Sequence, residues 1–134
     1  MLPLHLIVQT LLCGSAELTV LAPLFTAQSP RTLSIAGGSL AALQGLHLLT
    51  MLGEISMPLL TDNAAYAVRL ITHGPFRTLF WGVAVGVGGI MPLALLWLAF
   101  GNYIALALAS VLSLVGLFAF EWCFIMAGQS VPNS

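Results

Sequence analysis

The chain has 134 residues, of which 60% are hydrophobic and 5% are charged. A soluble domain carries about 25% charged residues, so this composition excludes a globular protein whose whole surface faces water. The three basic residues, all arginines, exclude a nucleic-acid-binding protein, because such a protein needs clustered basic side chains to neutralise phosphates. High hydrophobicity with a net charge of -1 also excludes a disordered chain. We therefore expect a protein of the lipid bilayer.

The two cysteines and the first residues indicate neither a secreted nor a processed protein. Cys13 and Cys123 lie inside apolar stretches, without the spacing of a disulfide framework or a zinc site. A secretory signal needs basic residues ahead of its apolar core, and the opening MLPLH contains no Lys or Arg. The first apolar segment is therefore expected to be a retained membrane span.

The apolar stretches predict four membrane-spanning helices, each of which needs about 20 apolar residues. Polar residues, Gly and Pro divide the chain into helices at about residues 4–25, 33–60, 78–100 and 103–127. Pro58 is expected to bend or fray the end of the second helix, and Gly101-Asn102 marks the turn before the fourth. Open sheets cannot satisfy their backbone in lipid, and no stretch alternates as a barrel strand does. The expected fold is an all-α membrane protein, a single transmembrane four-helix bundle over residues 1–134.

A polar segment, residues 61–77, separates the second predicted span from the third. It predicts a short helix at the membrane interface, capped by Thr61 or Asp62 and ended by Gly74-Pro75. With an even number of spans, both termini lie on the side of this segment, which carries two of the three arginines. This asymmetry favours termini on the cytoplasmic side.

Small residues recur every four positions on three of the predicted spans. Such ridges let membrane helices approach closely, although Gly and Ala are common in membrane helices in any case. The ridges are Gly37, Ala41 and Gly45, then Gly82 and Gly86, then Ala105, Ala109 and Ser113.

Four ionisable residues lie inside the predicted spans: Glu17, His47, Glu54 and Glu121. Each such group costs roughly 2.5–3.5 kcal/mol at the centre of a membrane helix, so these residues are the candidates for a proton relay. Counted from the helix ends on the terminal side, Glu17 and His47 both lie about 20 Å deep, and Glu54 and Glu121 about 9 Å deep. We therefore expect two polar layers, Glu17 with His47 and Glu54 with Glu121.

The two layers suggest a partial proton path, because carboxyl groups in a low-dielectric medium favour the neutral form and can then release a proton. The alternative is that neutral Glu and His side chains only join the helices by hydrogen bonds; both interpretations stay open here. No catalytic residue and no metal site is expected. Haem is disfavoured, since a second axial ligand is needed and His5 and His73 are expected near the interface.

Two stretches of the sequence share motifs with a known family. The first is GPFRTLFWG at residues 74–82, followed by VGGIMPL at 87–93; the second is LVGLF at 114–118, leading to AGQ at 127–129. They resemble the NrfD/polysulfide-reductase membrane-subunit family, as does the LHL of residues 4–6 with Gly14 in the same helix. The resemblance covers nearly the whole chain but only the C-terminal half of a usual member. It implies a fragment, a split subunit, or a first bundle supplied by another chain.

The resemblance implies an integral membrane anchor subunit of a quinone-linked respiratory oxidoreductase complex in a bacterial or archaeal cytoplasmic membrane. The implied partners are an iron–sulfur, ferredoxin-like subunit, a molybdopterin or related catalytic subunit, and a second membrane bundle. The chain itself would be non-catalytic and bind no cofactor alone, with quinone or menaquinone bound within the complex. Arg77 and Gln129 would be interfacial contacts to partners. Glu121 stands where the family usually has an arginine.

Two other functions are open. One is a small four-span transporter, in which Glu17 couples proton exchange to export of a hydrophobic cation in an antiparallel dimer. The weak arginine asymmetry suits such a dual topology, whereas the long second helix, the further acids and the polar segment do not. The other is a purely structural assembly subunit, which needs no titratable residue.

Overall fold

A computed structural model describes residues 2–21, 29–56 and 61–131 of the chain. They form five helices: α1 (Leu2–Leu21), α2 (Pro30–Ser56), α3 (Asp62–Thr72), α4 (Leu79–Leu98) and α5 (Tyr103–Gln129). All but α3 are long and apolar enough to cross a membrane, and the described ranges contain no strand. The expected all-α, multi-pass membrane bundle is thereby confirmed.

The start of α2 differs from the prediction. We expected Pro30 to belong to the break before the helix, but α2 begins at Pro30, three residues before Leu33. Proline suits the first helical position, where no backbone N–H is needed and its fixed φ already fits the helix. Ser29 precedes it and accepts a hydrogen bond at Oγ from the backbone N–H of Thr32, at 3.2 Å.

Two predicted boundaries cannot be compared, because the ends of helix 1 at Phe25 and of helix 2 at Leu60, with Pro58, lie outside the described residues. The last helix begins at Tyr103 as predicted and continues to Gln129, two residues beyond the expected end.

The short helix α3 forms as predicted. Thr61 is its N-cap, accepting a hydrogen bond at Oγ1 from the backbone N–H of Ala64, at 3.2 Å. Gly74 ends it tightly, since a Cβ there would lie 2.7 Å from Cα of Leu70. Arg69 is exposed, and the helix packs against α5 and the first half of α4.

The first part of α4, Leu79–Ile90, has the wide i→i+5 hydrogen-bond pattern of a π-helix over 12 residues. An α-helix follows over Met91–Leu98, and the backbone N–H of Met91 still donates to Gly86. Most π-helices are single turns. Hydrophobic periodicity could not predict this π-helix, because residues 79–90 are apolar on every side of the helix and so show no period that would distinguish it from an α-helix.

Helices α4 and α5 touch through their backbones at Gly88 and Gly116. A Cβ on either glycine would overlap the Cα of the other. The expected ridge of Ala105, Ala109 and Ser113 is buried, which confirms its place in the bundle. The expectation for Gly82 is wrong, because a Cβ there would meet nothing within 4 Å. Gly45, on α2, is equally open.

The hairpin between α4 and α5 is built by Gly101 and Asn102. Gly101 has φ +83°, a left-handed conformation that favours glycine. Asn102 is the N-cap of α5, and its Oδ1 accepts hydrogen bonds from the backbone N–H groups of Ile104 at 2.9 Å and Ala105 at 3.3 Å.

We expect Asn102→Ala to lower the free energy of unfolding by about 1 kcal/mol, because the first N–H groups of α5 lose their acceptor. Asn63→Ala, at an exposed position inside α3, is the matched control and should change stability little. Denaturant titration of both variants in the same detergent gives the comparison. Equal stability of the two variants would contradict a capping role for Asn102.

Two apolar clusters fill the bundle on either side of the contact between Gly88 and Gly116. The hairpin-side cluster consists of Leu12, Ala16, Leu40, Leu96, Leu106 and Ala109. The terminal-side cluster includes Met51, Ile71, Phe80, Phe120 and Cys123. Two buried polar residues, His5 of α1 and His47 of α2, lie beside the terminal-side cluster, in contact with Phe120.

Candidate functional site

A row of polar side chains runs along α1 at intervals of four residues: His5, Gln9, Cys13 and Glu17. This spacing places them along one face of the helix. The row passes from the interior to the outside of the bundle, because His5 is 3% exposed and Gln9 7% exposed, whereas Glu17 is exposed.

The buried end of this row contacts α2 at Glu54. Nδ1 of His5 lies 2.8 Å from Oε2 of Glu54, and both side chains are largely buried. The approach does not have hydrogen-bond geometry, so the contact is electrostatic and attractive when the imidazole is protonated. It places His5 in the interior of the bundle and gives Glu54 a basic neighbour.

His47 lies on the other side of His5. The two imidazole rings meet edge to face with their centroids 5.4 Å apart. Phe120 of α5 packs against both, stacked on His5 at 5.0 Å and edge-on to His47 at 5.8 Å.

Glu54 and Glu121, which were expected to share a layer, line one small cavity between α1, α2 and α5. We call it the carboxylate cavity; it has a volume of about 50 Å³. Its lining is His5, Leu6, Gln9, Glu54, Phe120, Glu121 and Phe124. It therefore combines two carboxyl groups, an imidazole and an amide with an aromatic wall.

Several buried polar atoms near this cavity have no hydrogen-bond partner within the described part of the chain. Nε2 of Gln9 and Nε2 of His5 belong to residues that line it. Oε1 of Gln44, Nδ1 of His47 and Oγ of Ser113 are further examples elsewhere in the bundle. Leaving such a group unsatisfied costs about 1–3 kcal/mol.

The predicted pairing of Glu17 with His47 is wrong. Glu17 lies twelve residues beyond His5, which is about 18 Å further along α1, whereas His47 contacts His5 directly. The prediction aligns the helices by their estimated ends, whereas the contacts of His5 with Glu54 and His47 place the start of α1 beside residues 47–54 of α2.

Glu17 instead lies in an open groove of about 460 Å³ on the outside of the bundle, the α1–α5 groove. Its Oε1 accepts a hydrogen bond from Sγ of Cys13 at 3.4 Å. The groove is lined by Leu6, Gln9, Thr10, Cys13, Gly14, Glu17, Leu117 and Glu121. Leu6, Gln9 and Glu121 also line the carboxylate cavity, so the two spaces adjoin.

The two residues expected to contact partners both lie on the surface. Arg77, before α4, and Gln129, at the end of α5, are both exposed, so both are accessible to another chain. Across the described ranges, no group of three or more His, Cys, Asp or Glu side chains could hold a metal ion.

A third space, of about 520 Å³, opens between α1 and α2. Its volume is within the range of ligand pockets, but the hydroxyls of Thr10 and Thr19 that line it donate to their own helix at 2.7 and 2.8 Å. The other hydroxyls that line it belong to Ser15, Thr32 and Ser39.

Sequence reasoning missed His5 and Gln9 as site residues. The signal that could have found them is the four-residue spacing that links them to Cys13 and Glu17, because it predicts a polar stripe on an otherwise apolar helix.

The chain was compared with known proteins at the level of both sequence and fold. No family model, no curated protein and no solved structure matches it.

Proposed function

We propose that the chain is the membrane anchor subunit of a quinone-linked respiratory oxidoreductase complex, in a bacterial or archaeal cytoplasmic membrane with its termini on the cytoplasmic side. The motifs at residues 74–82, 87–93 and 127–129 support the family, and the arginine distribution supports the orientation. The observation that best supports a role as a subunit is that Glu17 faces outward, in the α1–α5 groove.

A carboxyl group within a membrane span is costly where it faces lipid, because acyl chains offer it no hydrogen bond. Glu17 and Glu121 both line the outer groove, together with the amide of Gln9. A neighbouring membrane helix that supplies hydrogen-bond donors would satisfy them. This groove therefore supports a chain that works inside a larger membrane complex.

A second copy of the chain fits this face poorly. Packing the groove against its own copy would bring Glu17 towards Glu17, and the three arginines lie at or beyond the ends of the spans, at positions 31, 69 and 77. The charge pattern favours a different subunit with basic or amide side chains in its helices.

The residues of the chain indicate which functions belong to it and which belong to its partner subunits. Cys13 and Cys123 are on different helices and are not joined by a disulfide, so iron–sulfur clusters, and a molybdopterin or related centre, belong to the partner subunits. The chain contributes the bundle and, through His5, Glu54 and Glu121, a group of side chains that can bind and release protons. Quinone or menaquinone binds within the complex.

We expect the tagged chain, purified in mild detergent from its native membrane, to carry a protein with the electron paramagnetic resonance signal of iron–sulfur clusters. Glu17→Leu should insert normally but retain roughly tenfold less bound iron, equivalent to about 1.4 kcal/mol of lost contact. Leu18→Ala, at the neighbouring exposed position, is the control and should retain the iron. A wild-type chain that purifies alone and iron-free would contradict the proposal.

One observation favours the transporter as a second candidate. An outward Glu17 in an open groove is also what a dimeric proton-coupled exporter needs. Reporter fusions at both termini separate the two functions: a single orientation supports the anchor subunit. Mixed orientation together with resistance to hydrophobic cations supports the transporter.

A further inference from the structure

The carboxylate cavity has the features of a binding site for a small ligand, and the proposed function does not say what occupies it. It is lined by acceptors on α2 and α5, Glu54 and Glu121, and by the amide of Gln9 and the imidazole of His5 on α1. Gln9 and His5 are more than nine-tenths buried, and each has a terminal nitrogen without a partner among the described residues. A small polar ligand in the cavity would satisfy both.

The volume of the cavity limits which ligand it can hold. One water molecule needs about 10–15 Å³ of such space and two to four polar partners. The cavity has about 50 Å³, enough for up to about three waters and too little for an organic molecule. Water suits the lining better than a cation does, because it can donate to the carboxylates and accept from the amide at the same time.

We propose that the carboxylate cavity binds water, which bridges Glu121 to the Glu54–His5 contact through the side chain of Gln9. The waters lie where α1, α2 and α5 meet, beside the ring of Phe120. Because the cavity shares Leu6, Gln9 and Glu121 with the α1–α5 groove, the bound water adjoins the outer face of the bundle.

Bound water would connect the two carboxyl groups for proton transfer. A protonated Glu121 gives its proton to the bridging water, and the water gives one of its own protons to the Glu54 carboxylate, so that charge and atoms balance. His5, in contact with Glu54 and His47, is the next group that can accept a proton. This transfer role rests on the proposed function, whereas the water site itself does not.

The test is water-edited solid-state NMR of the full chain, isotopically labelled and placed in lipid bilayers. Three glutamines provide an internal comparison: Gln9 at the cavity, Gln44 buried away from it and Gln129 exposed. We expect the side-chain amide of Gln9 to receive magnetisation from water at a rate close to that of Gln129. The amide of Gln44 should receive it much more slowly.

Glu121→Met and Glu17→Met form a matched pair of variants, because Glu121 lines the cavity and Glu17 does not. The first should abolish the water signals at Gln9 and His5, and the second should leave both in place. A Gln9 amide that is no better hydrated than Gln44 overturns the proposal, even if Glu121→Met does not fold. The measurement needs no partner subunit, so its failure is distinct from failure of the proposed respiratory role.

Discussion

Replacing Gly88 by alanine is expected to destabilise the folded bundle by about 3 kcal/mol or more, at the upper end of the cost of overpacking. The added Cβ would overlap the backbone of Gly116. A side chain can change rotamer to relieve a clash, but a backbone can do so only if the two helices separate. Separation would also pull apart Phe80 and Phe120, whose rings lie 6.3 Å apart in the terminal-side cluster.

Gly116→Ala should have the same effect, because the overlap is reciprocal. Gly82→Ala is the matched control, since it adds the same methyl group to α4 where nothing lies within 4 Å. Unfolding by denaturing detergent, followed by circular dichroism, measures all three variants. The proposed helix contact is wrong if Gly88→Ala unfolds at the same detergent fraction as Gly82→Ala.

Replacing Glu54 by glutamine is expected to reduce quinol-linked turnover of the complex roughly 100-fold, the lower range for loss of a proton-transferring group. The amide keeps the shape of the side chain but cannot take up a proton from the cavity water or attract a protonated His5. The amount of assembled complex should stay unchanged, because Gln can still form hydrogen bonds in the same place.

Ser56→Ala, two residues further along α2 and exposed, is the control for this variant. Turnover and the content of partner subunits are measured on the same preparations. Normal turnover of Glu54→Gln would select the purely structural role for the buried acids. Loss of partner subunits in Glu54→Gln would show that Glu54 supports assembly instead.

The elements of this fold follow closely from the sequence. Hydrophobic length alone predicts the spans, and turn chemistry places the starts of α3 and α5 at Thr61 and Asn102. The start of α2 was missed because Pro30 is ambiguous: proline breaks a helix from within but begins one well. The contact that each glycine makes could not be predicted either, because the spacing of small residues does not say which face of the helix a neighbouring helix covers. Gly88, which is outside the predicted ridges, makes the closest helix contact, and Gly82, which is inside one, makes none.

The residue types of the candidate site could be predicted from the sequence, but which residues lie together could be predicted only in part. Glu54 and Glu121 line one cavity, as their predicted shared layer suggested. Glu17 was paired with His47 by counting residues along each helix, whereas in the structure it is His5 of α1 that contacts His47. Such a count does not say how far one helix is shifted along another.

The crossing of α4 and α5 at two bare Cα atoms has a mechanical consequence. Gly88 and Gly116 have no side chains to interlock, so this point resists approach but not rotation. The angle between α4 and α5 is then set by contacts on either side of this point. On one side Phe80 packs against Phe120, and on the other lies the hairpin-side cluster.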